Sequence, residues 1–200
     1  MTPPLRIYFI RHGETAWSIT GQHTGCTDLP LTGHGESMAK ELAANLGCVS
    51  FSRVFSSPRL RARMTCALTG LGQNAESSPE LAEWDYGQYE GLRTAEIHER
   101  HASWDIWTNG CPGGETPDGI GRRVDHVIEK LDKLSGNVAL FSHGQFGRVL
   151  ATRWIGLPVD QGQHFSLDPA SISILSYAEG YPKLRVISLW NATASGGMRA

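Results

Sequence analysis

The sequence predicts an α/β chain, a three-layer α/β/α sandwich around a mostly parallel central sheet. Short apolar runs such as Ile7-Tyr8-Phe9-Ile10 and Val138-Ala139-Leu140-Phe141 read as strands buried on both faces. Segments with helical apolar spacing lie between such runs, and strands that alternate with helices make parallel crossovers. Two hundred residues without a repeat or a low-complexity stretch suit one domain spanning residues 1–200.

Leu5–Ile10 is the first strand, and it stops at Arg11-His12-Gly13. Thr15–Pro30 shows no period and reads as a loop. Thr32 suits an N-cap, and Met38, Leu42, Ala43 and Leu46 share one face of the helix behind it. Val54-Phe55-Ser56 is a short second strand. Pro58 opens a helix that continues through Met64, Leu68 and Leu71.

Gly72–Pro117 is an irregular insertion over one edge of the sheet, with one helix at Thr94–His101. Ile120, Val124, Val127, Ile128, Leu131 and Leu134 then keep helical spacing, with Gly136 placed as a C-cap. Val138–Phe141 ends at Ser142-His143-Gly144, and a helix follows to Trp154. Ile172–Tyr177 and Leu184–Leu189 complete the sheet, and the tail from Asn191 is expected to be loose.

Composition removes several classes. Apolar residues at 40% and charged residues at 19% are those of an ordinary globular chain. Eighteen basic residues against twenty acidic ones speak against a general nucleic-acid binder or a polybasic membrane-surface protein. No stretch approaches the ~20 apolar residues of a membrane span. Cys26, Cys48, Cys66 and Cys111 form no C-x-x-C pair, so each reads as a small core residue in a reducing, cytoplasmic setting. An apolar edge strand offers a surface for a homodimer.

The chemistry is expected at the strand ends, because ligands of open α/β sheets bind outside the carboxyl ends of the strands. Arg11-His12-Gly13 and Ser142-His143-Gly144 end two such strands alike, so two histidines would face one crevice. Ser56-Ser57-Pro58 leads into Arg59, Arg61 and Arg63 at a helix N-terminus. Two histidines with several arginines describe a site for a phosphate ester. His98 and His101 lack a third ligand at matching spacing and read as an exposed helix face, so no metal site is expected. His23 and His34 are loop residues at the entrance. Trp84, Tyr86, Trp104 and Trp107 read equally as an apolar substrate wall or a packed lid.

Several ordered blocks carry a family resemblance. They are Arg11-His12-Gly13-Glu14-Thr15 with Trp17, Gly21-Gln22-His23-Thr24-Gly25, Thr27-Asp28 and Pro30-Leu31-Thr32. Ser57-Pro58 with Arg61-Ala62 and Thr65, Leu81-Ala82-Glu83 with Gly87 and Glu90-Gly91, and Ser142-His143-Gly144 continue the series. Together they resemble the histidine phosphatase superfamily, also called phosphoglycerate mutase-like, and its acid and sugar-phosphate phosphatase branch. The resemblance implies His12 as the nucleophile that becomes phosphohistidine, and Arg11, Arg61 and His143 as ligands of the phosphoryl oxygens. It implies Glu83 as the proton donor and Thr24 as part of the phosphate-binding loop, with Gly25, Ser18 and His23 as further substrate-binding positions. Ser18 departs from the Asn common at its position, and its hydroxyl is shorter. The insertion around residues 72–117 would then cover the active site.

The residue types suit that chemistry. An attacking imidazole must be neutral and held in one tautomer, most simply by donating its other N–H to a backbone carbonyl. Arginines and a protonated His143 would supply positive charge without a metal or cofactor. Burial near Trp84 would keep Glu83 protonated for the leaving alkoxide, after which it would serve as base for water. The expected function is a phosphatase acting on small-metabolite phosphomonoesters. One alternative is a cofactor-dependent phosphoglycerate mutase. Mutases of this family carry a longer basic segment between the two motifs. Here Glu83 to His143 holds only Arg93, Arg100, Arg122, Arg123, Lys130 and Lys133, the last four on a partly solvated helix. A catalytically silent phosphate-binding module on the same scaffold is the other alternative.

Overall fold

Alternation along the first strand builds the layers. In β1 (Arg6–Arg11), Ile7 and Phe9 pack to one side of the sheet, and Tyr8 and Ile10 to the other. The structure is a computed structural model and describes residues 3–194. β1 joins β2 (Phe51–Ser56), β3 (Ala75–Ser77), β4 (Asn137–Ser142), β5 (Ile172–Ala178) and β6 (Tyr181–Ala192) in one sheet, ordered β3-β2-β4-β1-β5-β6. β3, β2, β4 and β1 run parallel, while β5 and β6 are antiparallel.

Helices cover both faces. α2 (Gly33–Leu46) and α3 (Leu60–Leu68) pack Leu42, Leu46 and Cys66 on the Tyr8 face. α6 (Pro117–Leu131) and α7 (Gly144–Trp154) pack Ile120, Val124, Phe146 and Leu150 on the Phe9 face. α7 lies close because Gly147 has no side chain. A Cβ there would stand 2.4 Å from the Phe9 ring and 2.7 Å from Leu167. The remaining helices are short: α1 (Ala16–Thr20), α4 (Thr94–His98) and α5 (Ile106–Asn109).

Several local expectations are corrected. Thr15–Pro30 is not all loop, since Thr15 and Ser18 form a reciprocal capping box that starts α1. Part of the irregular insertion, Ala75–Ser77, does not lie over the sheet but extends it as the edge strand β3. Gly136 is not the cap of α6, which ends at Leu131 with Asp132 as its C-cap. It instead takes φ 73° in the turn that enters β4. Asn191 and Ala192 belong to β6, and the tail beyond residue 194 lies outside the described residues. Cys26 and Cys48 are exposed, so only Cys66 and Cys111 act as core residues. Arg122, Lys130 and Lys133 are solvated as expected, but Arg123 turns inward.

Candidate active site

Register places the two histidines. Arg11 pairs with Ser142 across the parallel β1–β4 ladder, so the next residues of the two strands, His12 and His143, emerge side by side. The His12 N–H extends the ladder to the Ser142 carbonyl at 3.0 Å. The imidazole centroids lie 5.2 Å apart at 63°. The two matching strand ends therefore bring the imidazoles together, as expected.

His12 is held as a nucleophile needs. Its Nδ1 lies 2.7 Å from the Gly13 carbonyl, an acceptor only, so Nδ1 carries the proton and Nε2 keeps its lone pair. Burial, followed by the charges of Arg61 and Arg11, holds His12 well below the ordinary imidazole range. The Gly13 N–H is fixed by Thr65 Oγ1 at 3.0 Å. A Cβ on Gly13 would come within 2.5 Å of the Gly35 carbonyl, so α2 presses directly on this loop.

His143 corrects the expectation of a protonated partner. Its Nδ1 receives the Arg61 Nε–H at 3.1 Å and so bears no proton. Nε2 carries the one proton, 2.8 Å from Ser57 Oγ. Burial and the adjacent Arg61 push its titration well below the usual range. Arg61 is fully buried. Its other donors reach the carbonyls of Thr27 at 2.9 Å, Thr24 at 2.9 Å and Gly25 at 3.1 Å, which leaves one Nη1–H unassigned. Arg61 and His143 thus sit beneath the pocket wall, and the residues lining the pocket do not include them.

The cleft itself is lined by Arg11, His12, Ser18, His23, Thr24 and Glu83 among others. Arg11 lies flat along the first turn of α7, where a Cβ on Gly144 would be 3.3 Å from its Cζ. Its Nη1 donates to the Leu167 carbonyl, and its Nε has no partner among the described residues.

Glu83 reaches the site from the other side, through the stretch that precedes it. Ser142 Oγ donates to the Leu81 carbonyl at 2.7 Å and ties that stretch to the end of β4. The Glu83 carboxyl then caps α7. Oε1 accepts the N–H groups of Trp84 at 2.9 Å and Phe146 at 2.8 Å, and Oε2 accepts that of Gln145 at 3.0 Å. His143, the N-cap residue of α7, makes no capping bond of its own. Oε1 accepts two N–H groups and Oε2 only one, so the free acceptor position of the carboxyl is on Oε2. Trp84 meets Glu83 through its backbone N–H, while its indole N–H donates to the Glu115 carbonyl at 2.9 Å.

The expected substrate-binding residues divide. His23 and Thr24 line the pocket. His23 stacks on Tyr86 with centroids 4.7 Å apart, and burial lowers its titration to about 4, so the ring is neutral at pH 7. Thr24 Oγ1 is directed at the Gln22 carbonyl, 3.1 Å away. Ser18 lines the pocket, but its hydroxyl proton goes to the Thr15 carbonyl at 2.9 Å and leaves nothing to donate to an anion. Gly25 does not line the pocket. Its N–H is held by Glu90 at 3.0 Å, and its carbonyl by Arg61. Glu90 also receives the Thr27 N–H at 2.9 Å, so this loop is shaped from beneath.

Sequence reasoning did not single out Gln145 and Arg148, which line the pocket from the first turns of α7. Their i, i+3 spacing directly after Ser142-His143-Gly144 was the available signal. His98 is used structurally, with Nε2 2.8 Å from the Trp104 carbonyl. Among the described residues, no three His, Cys, Asp or Glu side chains converge as metal ligands. No helix among them is long and apolar enough to cross a membrane.

Comparison with known proteins agrees with this geometry. A family model for the histidine phosphatase superfamily, branch 1, matches residues 7–191. The chain is 42% identical over 188 residues to an acid phosphatase of Mycobacterium tuberculosis, covering 92% of each chain. It is 35% identical to the sedoheptulose 1,7-bisphosphatase of Saccharomyces cerevisiae, over 80% of this chain and 70% of that one. A solved structure of a Mycobacterium tuberculosis open reading frame product superposes with a TM-score of 0.88 at 39% identity, covering 94% of this chain and 98% of that one.

Proposed function

The chain belongs to the histidine phosphatase superfamily, branch 1, and from that membership we propose that it hydrolyses phosphomonoesters of small metabolites through a phosphohistidine on His12, without a metal. The observation that carries the reading is the His12 ring, neutral and locked by the Gly13 carbonyl with Nε2 free in a pocket beside Arg11. Phosphatase-named relatives of similar length support hydrolysis. The charged and polar lining of the cleft, with Arg11, Gln145 and Arg148 in it, suits a small phosphate ester.

His12 Nε2 forms the bond to phosphorus as the ester oxygen leaves, and Glu83 Oε2 passes its proton to that oxygen. In the second half, Glu83 takes a proton from water, the water oxygen attacks phosphorus, and the N–P bond breaks to release phosphate and neutral His12. The transition state is loose, so positioning and charge carry most of the rate. Arg11 supplies charge at the pocket surface. Arg61 fixes His143 and the carbonyls of residues 24–27 from below, and its remaining Nη1–H adds to the same positive field. Two exposed free thiols suit a reducing, cytoplasmic location.

A panel of sugar phosphates, phosphoglycerates, nucleotides and phosphopeptides tests the reading, with and without chelator. Stoichiometric release of phosphate from small esters, unchanged by chelator, is the expected result. Interconversion of phosphoglycerates with little phosphate release would favour a mutase. Phosphate binding with no turnover of any ester would favour a silent module, and loss of activity with chelator would contradict the metal-free route.

A further inference from the structure

Arg123 sits on α6 and is absent from the lining of the phosphate pocket. It nevertheless has every donor engaged on the segment that carries Glu83. Nη1 donates to the carbonyls of Glu80 at 2.8 Å and Ala82 at 2.7 Å. Nη2 donates to the Glu83 carbonyl at 3.3 Å and to Glu115 Oε2 at 2.7 Å, and Nε donates to Glu115 Oε1 at 2.9 Å. That is the full complement of five guanidinium N–H groups, set in the plane that the fork geometry demands.

Glu115 completes the clamp from the opposite strand of chain. Its carbonyl accepts the Trp84 indole N–H, and its N–H donates to the Asp85 carbonyl at 2.8 Å. Both members of the pair are four-fifths buried, at 20% and 17% exposure, where a bidentate pair is far better defined than on the surface. The Arg123 guanidinium also lies 5.3 Å from the centroid of the Phe146 ring, and Phe146 donates its N–H to Glu83 Oε1. Arg123 thus touches both the peptide that bears Glu83 and a residue that holds its carboxyl.

We propose that the Arg123–Glu115 pair is the positioning device for the proton donor, fixing Glu83 Oε2 relative to the leaving oxygen. The inference rests on the reading of Glu83 as that donor. A proton donor matters in proportion to the basicity of the group it protonates. An alkoxide cannot leave without a proton, whereas dinitrophenolate can. Displacing Glu83 therefore penalises alkyl phosphates and spares activated aryl phosphates in kcat/KM, which reports the phosphorylation half-reaction and not the later attack of water. A merely structural defect lowers both alike.

The test compares kcat/KM for an alkyl phosphate and for 2,4-dinitrophenyl phosphate in wild type, Arg123→Lys, Glu115→Gln and Glu83→Gln. Lysine keeps the charge but cannot fill five planar sites. Arg123→Lys is expected to lose about 10–100-fold on the alkyl ester and less than about 3-fold on the dinitrophenyl ester, as a partial loss of general-acid catalysis. Glu115→Gln should show the same split with a smaller alkyl loss, and it decides the matter if Arg123→Lys does not fold. Equal losses on both esters, or none, in the folded clamp variants while Glu83→Gln still splits them would overturn the clamp alone. No split in Glu83→Gln would instead overturn Glu83 as the donor.

Discussion

His12 and Glu83 reach one pocket by different means, with His143 beside His12 beneath the pocket wall. His12 and His143 continue neighbouring parallel strands whose register places them side by side. Glu83 follows the single 3-10 turn Pro79–Leu81 and belongs to neither a strand nor an α-helix. Its position depends on side-chain bonds from Arg123, Ser142 and the N-terminus of α7. Backbone register fixes His12, the proposed nucleophile, to the tolerance of the sheet, whereas Glu83, the proposed proton donor, is held by individual hydrogen bonds. The first arrangement changes only with the fold. The second can be loosened by one substitution.

His12→Ala separates the two most sharply. Removing the nucleophile should lower kcat by at least about 10⁴-fold, and by similar factors for alkyl and dinitrophenyl esters. A loss confined to alkyl esters would mean that His12 acts on the leaving group. Glu83→Gln comes next, with about 10²–10³-fold of kcat/KM lost on alkyl esters and little of it on the dinitrophenyl ester.

Gly147→Ala tests the rigidity of the strand-end side. Its Cβ would overlap the Phe9 ring on β1, so unfolding in denaturant should show a loss of about 1–3 kcal/mol. Unchanged stability would show that α7 can shift away from β1 freely.

The smallest effect is protonic. His12 and His143 stay neutral in the folded chain well below the ordinary imidazole range, and His23 does so down to about 4. The unfolded chain takes up those protons near its ordinary value of about 6.5. Unfolded molecules therefore bind more protons below that pH. The stability contribution is complete above about 6.5 and is lost as pH falls from there toward the folded values. Thermal unfolding between pH 7.5 and 5 should show a falling midpoint. The acidic limb of kcat/KM should also lie below 6.5, since His12 remains unprotonated there. A midpoint that rises on acidification, or a limb above 6.5, would contradict the buried neutral histidines.

The same contrast explains what the sequence disclosed. The apolar runs ending in Arg11-His12-Gly13 and Ser142-His143-Gly144 revealed the layers and the meeting of two imidazoles, because strand direction and residue order suffice for both. The protonation of His143 was not readable. It follows from an Arg61 Nε that points at Nδ1, a contact between residues 82 positions apart. Ser18 and Gly25 lie in the right segments, but their polar groups serve the capping box and the Glu90–Arg61 scaffold. Arg123 read as one more charge on a polar helix face. Its inward turn becomes visible only once the carbonyls of residues 80–83 are in place to receive it.

Rapid quenching of the enzyme with a ³²P-labelled aryl phosphate asks whether His12 carries the phosphoryl group. The expected label on the protein survives alkali, is lost in acid, maps to the peptide containing His12 and vanishes in His12→Ala. Turnover without any such label under single-turnover conditions, or a label on another residue that persists in His12→Ala, would contradict that role.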